Sequence, residues 1–119
     1  MTIKKSLKNN EKVEMIDKLY KAYKQNNKDI YKRVAKLLEK SVRKNISVNL
    51  SKLEKLNVVK DGSIVVVPGK ILGAGEVSKK ITVYAYKYSD SVKNKIHSIK
   101  SFDDFCKDKI DYKNTLIII

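Results

Sequence analysis

The sequence predicts an α/β or α+β fold, in which a small parallel or mixed sheet with packed helices follows a basic arm and an N-terminal helical hairpin. Two observations indicate the sheet: residues 64–67 are four consecutive β-branched residues between turn signals, and residues 80–86 alternate with period two. The third observation is the helical spacing of apolar residues in the first half of the chain. A sheet covered by helices lets both kinds of element bury their apolar faces.

The length of 119 residues predicts one domain with one small core. We divide it into a basic arm (1–10), a helical and basic segment (11–57) and a β/α core (58–119). No stretch reaches the roughly 18 apolar residues that a membrane span needs, and the first residues lack the apolar segment of a signal peptide. We therefore expect an intracellular, soluble protein.

The formal net charge of +14 is larger than the solubility of a small domain requires, and it is unevenly distributed. Residues 1–60 contain 17 Lys and Arg against 6 Asp and Glu, whereas residues 61–119 contain 10 against 7. A general bias toward lysine, without a functional cause, would not by itself concentrate the positive charge in one half of the chain. The excess predicts a polyanionic partner that meets mainly the first half of the chain.

The first half is predicted to form an αα-hairpin. Apolar residues recur at three- and four-residue spacing in residues 11–25, which indicates an amphipathic helix. Asp29 is a candidate N-cap of a second helix, which runs to about Val42. That helix is predicted to bury four apolar residues, Ile30, Val34, Leu37 and Leu38. Its exposed side is basic and consists of Lys32, Arg33, Lys36 and Lys40. One face of the hairpin must cover the sheet, which leaves a lysine-rich face outside.

A polar, basic connector, residues 43–49, leads to a brief helix that Ser51 is predicted to cap. The central strand, residues 64–67, follows. After it we expect the backbone to turn sharply, because Pro68 has no amide donor and the glycines at 69, 73 and 75 permit positive φ or close approach. Lys70 is predicted to lie inside this turn.

The second predicted strand is residues 80–86, and three further elements are predicted after it. Ser89 is predicted to cap a helix that buries Val92, Ile96 and Ile99. Ser101, with Asp104 three residues later, resembles a capping box for a short helix. That helix is predicted to turn Phe102, Phe105 and Cys106 inward. Residues 115–119 are predicted to form a final strand.

No catalytic, metal-binding or cofactor-binding pattern is present. The glycine-rich segment fails the phosphate-loop pattern because Lys70 follows Gly69 directly, and it fails the dinucleotide pattern because Ser78 replaces the third glycine. His97 has no second histidine, and Cys106 has no histidine close in sequence. The acidic cluster begins in the first turn of a helix, where the helix dipole stabilises carboxylates without any catalytic role. Its members are Asp103, Asp104, Asp108 and Asp111. We expect no enzymatic activity and no cofactor.

Two features allow a structural and a functional interpretation. The glycines either only make turns or let the loop lie close to a nucleic-acid backbone, and we favour the second interpretation. Tyr84, Tyr86 and Tyr88 either form a stacking platform for bases or belong to a sheet face that a helix covers, and we favour the covered face.

The segment from Val66 to Gly75, Val-Val-Pro-Gly-Lys-Ile-Leu-Gly-Ala-Gly, resembles the eighteen-e family of large-subunit ribosomal proteins from archaea and eukaryotes. That family is related in fold to bacterial large-subunit protein fifteen. Residues 30–39, 49–53 and 88–96 are similar to segments of the same family. The resemblance covers about residues 12–119.

The resemblance implies a structural component of the large ribosomal subunit in the cytoplasm, without enzymatic activity. Its implied partners are large-subunit ribosomal RNA and neighbouring ribosomal proteins, with no membrane and no small-molecule substrate. The RNA-binding residues that it implies, together with the basic face of the second helix, are Arg33, Lys40, Arg43, Lys44, Asn49, Lys52, Gly69, Lys70 and Gly73. A free-standing basic nucleic-acid chaperone or compaction protein is the alternative function.

Overall fold

The computed structural model of the protein describes residues 6–40, 47–108 and 110–119, with side chains from residue 13 onward. Four helices are present in these ranges: α1 (Ser6–Asn26), α2 (Asp29–Lys40), α3 (Leu50–Lys55) and α4 (Phe102–Lys107). Five strands are β1 (Ser47–Asn49), β2 (Ile64–Leu72), β3 (Thr82–Tyr88), β4 (Ser98–Ser101) and β5 (Thr115–Ile117). Two 3₁₀ turns are also present, Asp90–Asn94 and Tyr112–Asn114.

The strands form one sheet in which every pair is parallel. β2 is central, with β3 and then β4 on one side. On its other side, β5 pairs with the first three residues of β2 and β1 pairs with the last three. The predicted α/β class, with a small sheet behind an N-terminal helical hairpin, is confirmed.

Each face of the sheet is covered by a different apolar cluster. On one face, Val65 and Val67 of β2 pack with residues of α3 and the first 3₁₀ turn, including Leu53 and Val92. On the other face, Val66 packs with residues of α1, α2 and α4. The alternation along β2 assigns successive valines to opposite faces, as a strand requires. A strand buried on both faces explains the unbroken apolar run in the sequence.

The face covered by α1, α2 and α4 is the aromatic one. Tyr31, Tyr84, Phe102 and Phe105 form a chain of tilted ring contacts with centroid separations of 5.0–6.1 Å. Tyr84 and Tyr86 belong to this cluster, whereas Tyr88 packs against the opposite one. The covered-face interpretation is therefore correct for Tyr84 and Tyr86, whereas Tyr88 lies on the opposite face of the sheet.

The helical hairpin begins earlier than predicted. Residues 6–10 are helical rather than part of an extended arm, while residues 1–5 lie outside the described residues. Residues 6–12 contain neither Gly nor Pro and include four good helix formers, Leu7, Lys8, Glu11 and Lys12, so α1 extends toward the N-terminus. α1 ends where Asn27 adopts a left-handed conformation with φ 53°, a common way for a helix to terminate.

α2 confirms the predicted amphipathic pattern with small differences. Asp29 lies in the first turn of α2 instead of preceding it. Val34 and Leu38 are buried as expected, and Ile30 and Leu37 are half-buried. The buried set also includes Tyr31 and Ala35.

The predicted turn at Pro68-Gly69 is wrong, because β2 continues through both residues to Leu72. The register with β3 shifts between Val67 and Lys70, so that the strand contains a β-bulge at this point. Proline is tolerated at a bulge because the extra residue leaves the hydrogen-bonded ladder locally unpaired. The chain turns only after Leu72.

The predicted helix over residues 89–99 is also wrong. A 3₁₀ turn occupies residues 90–94, and β4 then pairs with β3. Val92 and Ile96 are buried as expected, but they reach the core from a turn and a loop. The predicted cap at Ser101 is confirmed, since its hydroxyl accepts a hydrogen bond from the Asp104 amide.

The connector and the brief helix also differ from expectation. The last three residues of the predicted connector form β1. Asn49 is the N-cap residue of α3, and Ser51 lies within the helix. The Ser51 amide instead donates to the Ala74 carbonyl, which joins α3 to the glycine-rich segment.

Candidate nucleic-acid interface

Two exposed lysines lie side by side near the carboxyl end of the sheet. Lys70 in β2 is in register with Lys87 in β3, and on its other side with Ser47 in β1. All three residues are exposed. In open α/β sheets, ligands bind in the crevice outside the carboxyl ends of the strands. Like charges directly opposite each other on neighbouring strands are destabilising, and a bound anion would relieve their repulsion.

Lys87 was missed by the sequence analysis. The alternating pattern assigned residues 80–86 to a strand that stopped one residue short of it. The register with Lys70 is a tertiary feature that depends on the bulge in β2, and no local pattern reports it.

α2 adds a basic stripe. Arg33, Lys36 and Lys40 are exposed and follow each other at three- and four-residue spacing, so they share one side of the helix. Lys32 is half-buried instead, with its ammonium 5.6 Å from the centre of the Tyr23 ring. The stripe therefore consists of three residues.

The stripe leads toward the carboxyl end of the sheet. α2 begins near the amino end, because the Tyr31 hydroxyl is 2.9 Å from the hydroxyl of Tyr112, which lies just before β5. The connector that follows α2 ends at Ser47, beside Lys70. Ile71 packs into the cluster on the α3 face, so alternation directs Lys70 toward the face that α2 covers. Arg43 and Lys44, two of the predicted binding residues, lie outside the described residues.

We call the five exposed residues of the α2 stripe and the strand pair the cationic edge: Arg33, Lys36, Lys40, Lys70 and Lys87.

Two further predicted residues lie beside β1. Asn49 is exposed, and its side chain does not cap α3. Lys52 is exposed as well, but its ammonium donates to the backbone carbonyl of Ile119. Lys52 therefore has a structural partner within the chain.

The glycines of the segment after β2 have intramolecular roles. A Cβ on Gly73 would clash with the Ser91 hydroxyl. A Cβ on Gly75 would lie 2.7–2.9 Å from the Cβ, amide nitrogen and Cα of Ser51, and Gly75 also has φ +91°. The Lys95 ammonium donates to the carbonyls of Gly73 (2.9 Å) and Gly75 (3.3 Å). Gly73 and Gly75 therefore permit a close approach, but the atoms that approach them belong to Ser91 and Ser51 of the protein itself.

Gly69, another predicted binding residue, is buried within the bulge of β2. Its backbone is not on the exposed surface. Glycine within a strand often marks a bulge. Its burial gives Gly69 a place in the packing of the sheet, and its role in binding stays a prediction.

The carboxylates collect elsewhere, around α4. Asp103 pairs with Lys18 at 2.8 Å, and Asp108 pairs with Lys100 at 3.0 Å. These are the ion pairs found among the described residues.

Asp108 also accepts a hydrogen bond of 2.8 Å from the Tyr84 hydroxyl. The hydrogen bonds from Lys100 and Tyr84 lower the pKa of Asp108, whereas burial, followed by the bond to Asp108, raises the pKa of Tyr84. This network is structural, and no residue of the cationic edge takes part in an ion pair within the described part of the chain.

The groups that a catalyst would use are not assembled in the described ranges. His97 is exposed, in the loop before β4. Burial raises the pKa of the Cys106 thiol to about 11, which disfavours the reactive thiolate at neutral pH. Within residues 6–40, 47–108 and 110–119, no group of three potential metal ligands is present. No helix in the same ranges is long and apolar enough to cross a membrane.

Comparison with known proteins decides the family. A family model described as ribosomal proteins "50S-L15, 50S-L18e", together with a counterpart from the 60S subunit, matches residues 12–99. The chain belongs to this family of ribosomal proteins. The resemblance seen in the sequence is therefore confirmed, and so is the expectation that the chain is not an enzyme. The matched range includes α2, the connector and both lysines of the strand pair.

Several individual relatives that match this chain are archaeal proteins. Large ribosomal subunit protein eL18 of Methanococcus maripaludis is 37% identical over 98 residues, which are 82% of this chain and 80% of the relative. The protein of the same name from Nanoarchaeum equitans is 36% identical over 110 residues, 87% of this chain and 91% of the relative. That of Pyrobaculum aerophilum is 42% identical over 78 residues, 66% and 62% of the two chains.

Proposed function

We propose that this chain is a structural component of the large subunit of the cytoplasmic ribosome and that it binds large-subunit ribosomal RNA through the cationic edge. Membership of the ribosomal protein family supports the first part of this proposal. The observation that supports the second is the in-register pair Lys70 and Lys87, two exposed ammonium groups on adjacent strands. Neighbouring ribosomal proteins are further partners in this proposal.

The mechanism of binding is electrostatic and geometric. Each ammonium or guanidinium group that contacts a phosphate releases condensed counterions, which makes association favourable and dependent on salt. Arg33 can in addition bind a phosphate with two parallel hydrogen bonds, whereas the lysines act as point charges. The sheet holds the backbones of Lys70 and Lys87 side by side, so their flexible side chains can reach neighbouring phosphates of a folded RNA.

Eight of the nine predicted site residues divide into three groups under this proposal, and the ninth, Gly69, is buried in the bulge of β2. Arg33, Lys40, Lys70 and Asn49 are exposed at or beside the cationic edge and are proposed to contact RNA. Arg43 and Lys44 belong to the connector between α2 and β1 and are proposed to contribute there. Gly73 and Lys52 are proposed to shape the neighbouring surface through their contacts with Ser91 and Ile119.

A salt titration tests the proposal. Binding of the purified protein to large-subunit ribosomal RNA should weaken steeply as salt rises, with log K falling by about 0.7 to 0.9 per decade of salt for each neutralised phosphate. Five contacts would therefore give a slope of about 4 in magnitude. The measurement is filter binding at several salt concentrations. A flat response would reject binding through the cationic edge.

A further inference from the structure

A second cationic surface lies in a groove between α1 and α4. Its floor is formed by Ala22 and the half-buried Cys106. Its rim consists of Lys18, Lys21 and Gln25 on α1 and Asp103 and Lys107 on α4. Residues 100–119, which include α4, lie beyond the range that the family model matches.

The groove is on the opposite side of α1 from α2. Tyr20 faces α2, because its hydroxyl donates to Glu39 at 2.8 Å. Lys18 faces α4, because its ammonium bonds Asp103. Residues two positions apart are separated by about 200° around a helix of 3.6 residues per turn. The side chains of Lys18 and Tyr20 therefore point in nearly opposite directions. The groove and the α2 stripe are thus separate surfaces.

The free charge of the groove is positive. The Asp103 carboxylate is paired with the Lys18 ammonium, and the hydrogen bond between them raises the pKa of Lys18. Lys21 and Lys107 are exposed on the two rims and form no ion pair among the described residues. From residue 18 to the end of α1, the sequence contains lysines and no carboxylate.

Helix electrostatics accounts for only part of this arrangement. A cation in the last turn of a helix is favoured by the macrodipole, which applies separately to Lys24 in α1 and Lys107 in α4. It does not apply to Lys21, which lies more than a turn from the end of α1. Packing α1 against α4 places Lys21 and Lys107 on the same groove, and a bound anion would stabilise that arrangement.

We propose that this groove binds a second segment of ribosomal RNA backbone, distinct from the segment bound at the cationic edge. This proposal rests on the proposed function. The rim offers ammonium groups and the Gln25 amide, while its one carboxylate already accepts from Lys18. Phosphate oxygens only accept hydrogen bonds, so they match this set of donors. A peptide segment would bring backbone N–H donors that find few free acceptors in the groove.

The first test compares two matched double variants. Lys21→Gln with Lys107→Gln removes the two free charges of the groove. Lys55→Gln with Lys80→Gln removes two exposed charges from α3 and the loop before β3, which belong to neither surface. The groove variant should reduce the salt slope of binding to large-subunit ribosomal RNA by about 1.4 to 1.8, and the control should not change it. Equal slopes for the two variants would overturn the proposal.

The second test uses Cys106, the single cysteine of the chain. An iron–EDTA reagent coupled to this thiol generates hydroxyl radicals at the floor of the groove. With the labelled protein on large-subunit ribosomal RNA, we expect strand cleavage at a discrete set of nucleotides. The control protein, with Cys106→Ser and Lys80→Cys, should not cleave those nucleotides. Coupling is first verified by mass spectrometry, because burial raises the pKa of the Cys106 thiol and slows its reaction. With the label in place, absence of cleavage, or cleavage in assembled subunits of a neighbouring protein instead of RNA, would overturn the proposal.

The proposed function and this inference fail in different ways. If Lys70→Gln with Lys87→Gln lowers the salt slope and the groove variant does not, the groove proposal fails and the cationic edge stands. If neither variant lowers the slope, the proposed function fails as well.

Discussion

Replacing Lys70 and Lys87 together by glutamine should weaken binding to large-subunit ribosomal RNA by about 25- to 60-fold at 0.1 M salt. The reason is that each lost phosphate contact removes about 0.7 to 0.9 from the salt slope and the same number of decades of affinity between 1 M and 0.1 M salt. Filter binding at several salt concentrations measures both quantities. The double variant Lys55→Gln with Lys80→Gln, which removes the same charge elsewhere, is the matched control.

The folded state should tolerate this substitution. Both side chains are exposed, and they place like charges opposite each other on adjacent strands. Their removal should therefore leave the circular-dichroism spectrum unchanged and raise the free energy of unfolding by a few tenths of a kcal/mol, at the low end of the range of about 0.2 to 1 kcal/mol for cross-strand pairs. If affinity for RNA equals that of the control variant, the strand pair is not part of the interface.

Gly75→Ala should destabilise the protein by about 3 kcal/mol, because it combines backbone strain with a steric clash. Gly75 has φ +91°, a conformation that costs an L-residue free energy. An added Cβ would also lie within 2.9 Å of three atoms of Ser51, two of them backbone atoms of α3 that cannot rotate away. Urea unfolding monitored by circular dichroism measures the loss.

Gly62→Ala separates these two contributions. Gly62 has a similar φ of +89°, but no atom lies within 4 Å of a Cβ built there. Its substitution should cost only the backbone strain, about 1 to 2 kcal/mol. Gly73→Ala adds a steric contact without backbone strain, because Gly73 has no positive φ and the nearest atom is the hydroxyl of the exposed Ser91, which can rotate. A loss at Gly75 no larger than that at Gly62 would show that the contact with Ser51 is unimportant.

Local patterns were sufficient for the elements whose residues bury one regular stripe or face. The spacing of Val34 and Leu38 predicted α2, and the β-branched run predicted the central strand. The pattern Ser101 to Asp104 predicted the start of α4. In each case the buried pattern has the period of the element, so sequence and structure carry the same information.

The errors occurred where tertiary pairing overrides a local signal. Pro68-Gly69 reads as a turn, but pairing of β2 with β1 and β3 beyond it keeps the strand extended and converts the signal into a bulge. Val92, Ile96 and Ile99 have helical spacing, yet β3 offers a free edge that β4 occupies. Lys87 entered the candidate site only through its register with Lys70. Sequence alone does not specify which strands become neighbours.

Sedimentation most directly tests the central claim that this chain is a constituent of the large ribosomal subunit. Lysate of the source cells is fractionated on a sucrose gradient at moderate salt, and the chain is detected with an antibody. The account predicts that the protein migrates with the large subunit and leaves it only as salt is raised. A protein that remains at the top of the gradient, as a free-standing nucleic-acid chaperone would, contradicts it.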